Sequence, residues 1–469
     1  MSEAQTLFSA LRQSAQPKVV DAIERLVREA PDRKLCRVNP LAFAASEGLN
    51  EEQVINAFLH ASQLGVFDLS WNVLCPGCGG VLDANTSLRT VQSDEYSCAL
   101  CAAGYEPTLD EMVEVTFTIS PRVRHIEAHN PHELPPLEYY RQIYWSSGVD
   151  LPEDGFEEKI DEFIVECLEL PPGEKAVISL QLPAEFVIVF EPVTHSAQFL
   201  DVKGEPTKER QSLSLVFDRA HRHSEPLKLR PGPMRISLEN HTDVRTLPSV
   251  AVANDALHEL LGRRRPFLTA KRLLSNQTFR DIFRTDTIEV DQRLKITSLT
   301  FLFTDLRGST ELYERVGDLA AFDLVKTHFG ILNEIVGAEA GAVVKTIGDA
   351  VMATFPTPDR AVVAAMRMRE AMRKLNDERG SEDLLLKIGI HEGPCIAVNL
   401  NERQDYFGQT VNIASRVQHL ATSREIFATG SVLGDPSAFN LLTDRGLNPI
   451  SQKVALRGIA NEISIFAIP

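Results

Sequence analysis

Leu299-Thr300-Phe301-Leu302-Phe303-Thr304-Asp305-Leu306-Arg307-Gly308-Ser309-Thr310 decides how this chain is read. Leu299, Phe301 and Phe303 alternate as in a half-buried strand that ends at Asp305. Gly308, Ser309 and Thr310 then open a helix, in which Leu312, Val316, Leu319, Phe322, Val325, Phe329, Leu332 and Val336 recur at helical spacing. Residues 341–347 and 350–355 read as a hairpin turning at Gly348-Asp349. A second helix puts Ala361, Ala365, Met368, Met372 and Leu375 on one face, and residues 384–390 form the next strand. Strand, helix, hairpin, helix, strand is the order of a ferredoxin-like βαββαβ sheet.

In that order Asp305 ends one central strand and Asp349 sits on the adjacent hairpin tip. Two carboxylates so close repel unless a cation joins them, and oxygen ligands of this kind favour Mg²⁺ or Mn²⁺. The backbone N–H groups of Gly308, Ser309 and Thr310, at a helix start, can point at phosphate oxygens. A third stretch, Asp405-Tyr406-Phe407-Gly408-Gln409-Thr410-Val411-Asn412-Ile413-Ala414-Ser415-Arg416, puts Asn412 and Arg416 four residues apart on one helical face.

Together these stretches resemble the catalytic domain of the class III nucleotidyl cyclases, over residues 296–469. The resemblance implies two Mg²⁺ or Mn²⁺ ions shared by Asp305 and Asp349, with the backbone carbonyl of Leu306 as a further ligand. It implies that Asn412 orients the ribose and that Arg416 steadies charge on the transferred phosphoryl group. Lys345 and Asp405 would read the base. Adenine offers an acceptor at N1 and a donor amine at N6, which a Lys donor and an Asp acceptor complement; guanine reverses that pattern. Lys387 stands where mammalian members use Arg to hold the triphosphate, and Ile459 where they carry a phosphate-binding Lys, with Arg457 near enough to replace it. Each active site in the family lies between two catalytic domains, so a complete set in one domain implies a head-to-tail homodimer. The expectation is an adenylate cyclase converting ATP to 3′,5′-cyclic AMP and pyrophosphate, regulated by its N-terminal region. The alternative is a catalytically silent nucleotide-binding protein acting through its N-terminal domains.

Upstream, an α+β multidomain chain is expected. Residues 1–73 read as a helical, winged-helix-like unit turning at Gly48, 74–110 as a zinc-ribbon-like segment, 111–250 as a β-rich, sandwich-like regulatory region, and 251–295 as a helical connector. The would-be recognition helix opens with Glu51-Glu52 and lacks Lys and Arg up to Gln63, which suits packing better than a DNA groove. Cys75-Pro76-Gly77-Cys78 and Cys98-Ala99-Leu100-Cys101 have the spacing of four thiolates around one structural Zn²⁺. His125, His129 and His132 read as loop histidines rather than metal ligands. At 469 residues, with 43% hydrophobic and 24% charged, the chain has the composition of a soluble globular protein. A net charge of −17 argues against nucleic acid as a partner. No long apolar run or secretion-type leader is apparent, and Cys36, Cys167 and Cys395 stand alone. These features predict a cytoplasmic protein without a membrane partner, whose regulatory ligand or protein stays open.

Overall fold

The computed structural model describes residues 3–92, 94–218, 225–283, 288–289, 292–400, 403–422, 425–459 and 461–469. The chain forms two compact units, one of Met1–Thr86, Thr90–Pro107 and Met112–Leu268, the other of Ser87–Arg89, Thr108–Glu111 and Thr269–Pro469. The division between the units falls at Leu268–Thr269, within the stretch 251–295. Among the described residues no helix is long and apolar enough to cross a membrane.

In the first unit, helices Glu3–Ser14, Pro17–Glu29, Pro40–Glu47 and Glu51–Gln63 precede strand Phe67–Leu74. Gly48 caps the third helix in the left-handed region, and the fourth buries Val54, Ile55, Ala57, Phe58, Leu59 and Ala61. That buried stripe makes it a core helix, as its acidic start suggested. Strand Phe67–Leu74 pairs antiparallel with Val81–Asn85 and with Val113–Ile119. The last of these was read as part of the β-rich region; its ladder shows that it closes the N-terminal sheet instead. Downstream, a three-stranded and a five-stranded sheet are present. Leu182, Val187, Val189, Leu200, Phe217, Ile236 and Leu238 from both sheets form one core, as in a sandwich.

The second unit starts with α1 (Ala270–Leu274) and α2 (Gln277–Ile282), capped by Thr269 and Asn276. It continues with β1 (Leu294–Leu306), α3 (Ser309–Val316), α4 (Asp318–Ala338), β2 (Ala342–Ile347), β3 (Ala350–Phe355), α5 (Pro358–Arg379), β4 (Leu386–Leu400), β5 (Arg403–Phe407), α6 (Gln409–Leu420) and β6 (Ile426–Thr429). Two helices, α7 (Gly430–Leu433) and α8 (Pro436–Asp444), lead to β7 (Ile450–Val454) and β8 (Ile463–Ile468). The sheet order is β2-β3-β1-β4-β6-β8-β7, with β5 paired to β4. The order β2-β3-β1-β4, antiparallel throughout, is the expected ferredoxin-like arrangement.

Two expectations change. β1 is buried on both faces from Leu299 to Phe303, not half-buried, because it lies between β3 and β4 with Leu302 in the helix-covered core and Phe301 against Tyr406. The long helix is two helices broken at Gly317, and Leu319 and Phe322 face solvent; the buried stripe of α4 is Ala321, Leu324, Val325, His328, Leu332, Ile335 and Val336.

Candidate active site

Asp305 is the penultimate residue of β1. In the β1–β3 ladder Thr304 lies opposite Val351, and in the β2–β3 hairpin Ile347 lies opposite Ala350. Ala350 therefore comes opposite Asp305, and the turn residue Asp349 lies one position beyond it, close enough for its charge to act on Asp305. Gly348 takes a positive φ of 63° there, which lets the hairpin close in two residues. Burial raises the Asp305 carboxyl above its usual range, and the charge of Asp349 raises it further. Lys387, opposite Asp305 on β4, opposes both effects. Asp349 Oδ2 is buried with no hydrogen-bond partner. Two neighbouring carboxylates, one with an orphaned oxygen, fit a divalent-cation site, since a cation would satisfy that oxygen and relieve the repulsion.

His328 of α4 belongs to the same corner and escaped sequence reasoning, because a single His in an apolar stripe carries no spacing signal. It is fully buried, neither ring nitrogen has a hydrogen-bond partner, and burial pushes it down to about 4 against the charge of Asp349.

Lys345 on β2 and Asp405 on β5 form an ion pair through Nζ and Oδ2. The Asp405 side chain is 11% exposed and the Lys345 side chain 42%. Asp405 Oδ1 also accepts the Tyr406 amide at 2.9 Å.

Asn412 and Arg416 share α6, the former exposed and the latter half-buried. Gly389 on β4 sets the height of this helix: a Cβ there would lie 2.2 Å from the Gln418 amide nitrogen. The Arg416 guanidinium lies beside Gly458, where a Cβ would be 3.6 Å from Nη1, so from α6 it reaches the loop that carries exposed Arg457. Ile459 packs with Ile413, Val417 and Leu456. The charge of His419, in the last turn of α6, reaches Asp305. Gly308 caps the start of α3, with Ser309 its first residue; the side chain of Thr310 lies outside the described residues.

The four cysteines converge as their spacing predicts. Their Sγ atoms all lie within 4.8 Å of one another. Cys75–Cys101 and Cys78–Cys98 are 3.6 and 3.7 Å apart. Tetrahedral zinc with four thiolates at ~2.3 Å needs sulfurs about 3.8 Å apart, so this cage has the right size. Among the described residues no other group of three or more His, Cys, Asp or Glu side chains could hold a metal; His129 ends a 3-10 turn and bonds Ile119 O at 2.7 Å.

Two family models match the chain. The one for a family of unknown function, DUF5939, covers residues 1–281, and the one for the adenylate and guanylate cyclase catalytic domain covers residues 292–443. The chain belongs to the DUF5939 family. In this DUF5939 protein the C-terminal third is an adenylate and guanylate cyclase catalytic domain of the class III type. Similar curated proteins include an adenylate cyclase of Anabaena cylindrica, 31% identical over 36% of this chain and 36% of the relative. An adenylate cyclase of Lachancea kluyveri is 31% identical over 28% of this chain and 8% of its own length. The chain thus spans well under half the length of these relatives. Among solved structures, the adenylyl cyclase CyaB from P. aeruginosa is similar at 26% identity over 38% of this chain and 96% of that one, with a TM-score of 0.34. The cysteine cage lies inside the DUF5939 match, which ends within α2.

Proposed function

We propose that this protein is an adenylate cyclase, converting ATP to 3′,5′-cyclic AMP and pyrophosphate at sites formed between two copies of the chain. The observation that carries the reading is the pair Asp305 and Asp349, neighbours at the strand ends, one with an unpartnered buried oxygen. Asp305, Asp349 and the Leu306 carbonyl would hold Mg²⁺ or Mn²⁺. Bound there, the ions supply Lewis-acid activation of the ribose 3′-hydroxyl and neutralise triphosphate charge.

The chain's own residues do the rest. The bond formed joins the 3′-oxygen to the α-phosphorus; the bond broken releases pyrophosphate. Arg416 steadies the phosphoryl oxygens with its planar, permanently charged fork, and Asn412 fixes the ribose. The amides opening α3 at Gly308, Ser309 and Thr310, together with Lys387 and Arg457, hold phosphate oxygens. Lys345 donates to adenine N1, and Asp405 accepts from the N6 amine. Lys345 and Asp405 pair with each other; adenine would displace that pairing.

Dimerisation is supported by helix geometry. The end of α6 at His419 is near Asp305, and Asn412 lies seven residues back, about 10 Å along the axis at 1.5 Å per residue. Asn412 of one copy is then better placed for the partner's carboxylates. Exposed Ile347 and Phe407, beside the base-reading pair, supply apolar area for that contact. The DUF5939 segment, stapled by one structural Zn²⁺, would regulate the catalytic domain in the cytoplasm in response to a ligand or protein. The test is cyclic AMP production by the purified full chain with Mn²⁺ and ATP. A dimeric, folded preparation that makes none would overturn the proposal.

A further inference from the structure

We propose that Arg280, at the end of the DUF5939 segment, is a positioning residue for base selection, holding Lys345 and Asp405 at the spacing adenine requires. The inference rests on the cyclase reading of those two residues and goes beyond it, since Arg280 and Gln277 lie outside the catalytic-domain match.

The argument starts from a fault in the hairpin. In the β2–β3 ladder Val343 lies opposite Ala353 but Lys345 lies opposite Met352, so Val344 is an extra, bulged residue immediately before Lys345. A bulge frees backbone groups and re-aims the next side chain. Helix α2 takes up what this one frees. Gln277 Oε1 accepts the Val343 amide at 2.8 Å, and Arg280 Nη2 donates to the Val344 carbonyl at 3.4 Å. The same Arg280 nitrogen donates to the Gln404 carbonyl at 2.9 Å, immediately before Asp405. On the other side of Asp405, Tyr406 Oη donates to the Leu274 carbonyl of α1 at 3.3 Å and accepts from Gln404 Nε2 at 2.8 Å. One guanidinium thus ties the residue preceding the base donor to the residue preceding the base acceptor, although β2 and β5 are not neighbours in the sheet. Within α2, Phe279 is buried and stacks on Phe283 with ring centroids 5.2 Å apart. Arg280 Nη1 is buried with no hydrogen-bond partner. A purely structural tie between two carbonyls does not call for a half-buried cation, which costs free energy to desolvate.

The experiment uses the full chain and its Arg280→Ala, Arg280→Lys and Gln277→Ala variants. Equilibrium binding of 3′-deoxy-ATP and 3′-deoxy-GTP, which cannot cyclise, is measured beside kcat and KM for ATP and GTP with Mn²⁺. Arg280→Ala should weaken 3′-deoxy-ATP binding about tenfold while changing 3′-deoxy-GTP binding less than about twofold. KM for ATP should rise with it, and kcat at saturation should stay within about threefold. Arg280→Lys, which keeps one donor, should recover part of the discrimination, and Gln277→Ala should move it in the same direction. If Arg280→Ala does not fold, Gln277→Ala carries the test. Equal weakening of both nucleotides, unchanged discrimination in a folded variant, or a fall in kcat at constant KM would overturn the inference. A wild type that prefers 3′-deoxy-ATP but makes no cyclic AMP would sink the cyclase reading and leave the clamp supported. A wild type with no preference would sink the clamp.

Discussion

Lys345 and Asp405 are 60 residues apart in sequence and touch in space. Their pairing makes base recognition an exchange, in which a protein ion pair is traded for two hydrogen bonds to adenine. Asp405 is largely buried, so adenine must replace the contacts of Lys345 to that carboxylate as well as reach it. Lys345→Glu combined with Asp405→Ser should reverse the donor and acceptor pattern. The ratio of kcat/KM for ATP over GTP should fall at least about tenfold, read from parallel cyclic AMP and cyclic GTP assays. An unchanged ratio would show that these residues do not read the base. The residue types and the i, i+4 spacing of Asn412 and Arg416 were legible in the sequence. His328 and Arg280 were not, because each acts through a surface that only folding brings to it.

At the scale of elements, the cysteine hairpin and the sheet beside it carry the clearest tests. Cys98→Ser should take zinc content from about one ion per chain to near zero, measured by atomic absorption. Melting of the first unit should weaken by about 4 kcal/mol or more, the scale of losing a structural metal. Wild-type zinc content near zero would remove the metal from this account. Glu114, on strand Val113–Ile119, is fully buried, and burial raises its carboxyl despite bonds from Ser147 and from Asn72 Nδ2 at 3.1 Å. The native state therefore holds this proton to higher pH than the unfolded chain does. Stability falls as pH climbs from the unfolded carboxylate value, about 4.3, towards the raised native one. Glu114→Gln should flatten that fall, so that thermal midpoints between pH 4 and pH 7 drop less than in the wild type. A variant with the same pH slope as the wild type would refute the assignment. The pairing of this strand with Phe67–Leu74 was the part of the fold that alternation could not supply. An alternating strand states which face is buried and leaves its neighbour unspecified.

At the scale of the whole molecule, division of labour between two copies gives a quantitative expectation. Asp305→Ala and Arg416→Ala should each be nearly inactive alone, Arg416→Ala by about 100-fold or more. Mixed in equal amounts and allowed to exchange, half of the dimers carry one intact site of two, so about a quarter of wild-type activity should return. No recovery on mixing, with exchange verified by tagged subunits, would place each site within one chain.

Local chemistry by itself determined the order of strands and helices in the catalytic domain, the turn at Gly348-Asp349, the cysteine spacing and the shared face of Asn412 and Arg416. Those features depend on residues a few positions apart, where backbone periodicity dictates which side chains meet. Tertiary structure alone decided that β1 is covered on both faces, that α4 buries Ala321 and Leu324 while exposing Leu319 and Phe322, and that Arg280 spans the bulge at Val344 and the carbonyl of Gln404. Those outcomes follow from which surfaces pack together and in what register, and non-local contacts leave no period in the chain to read.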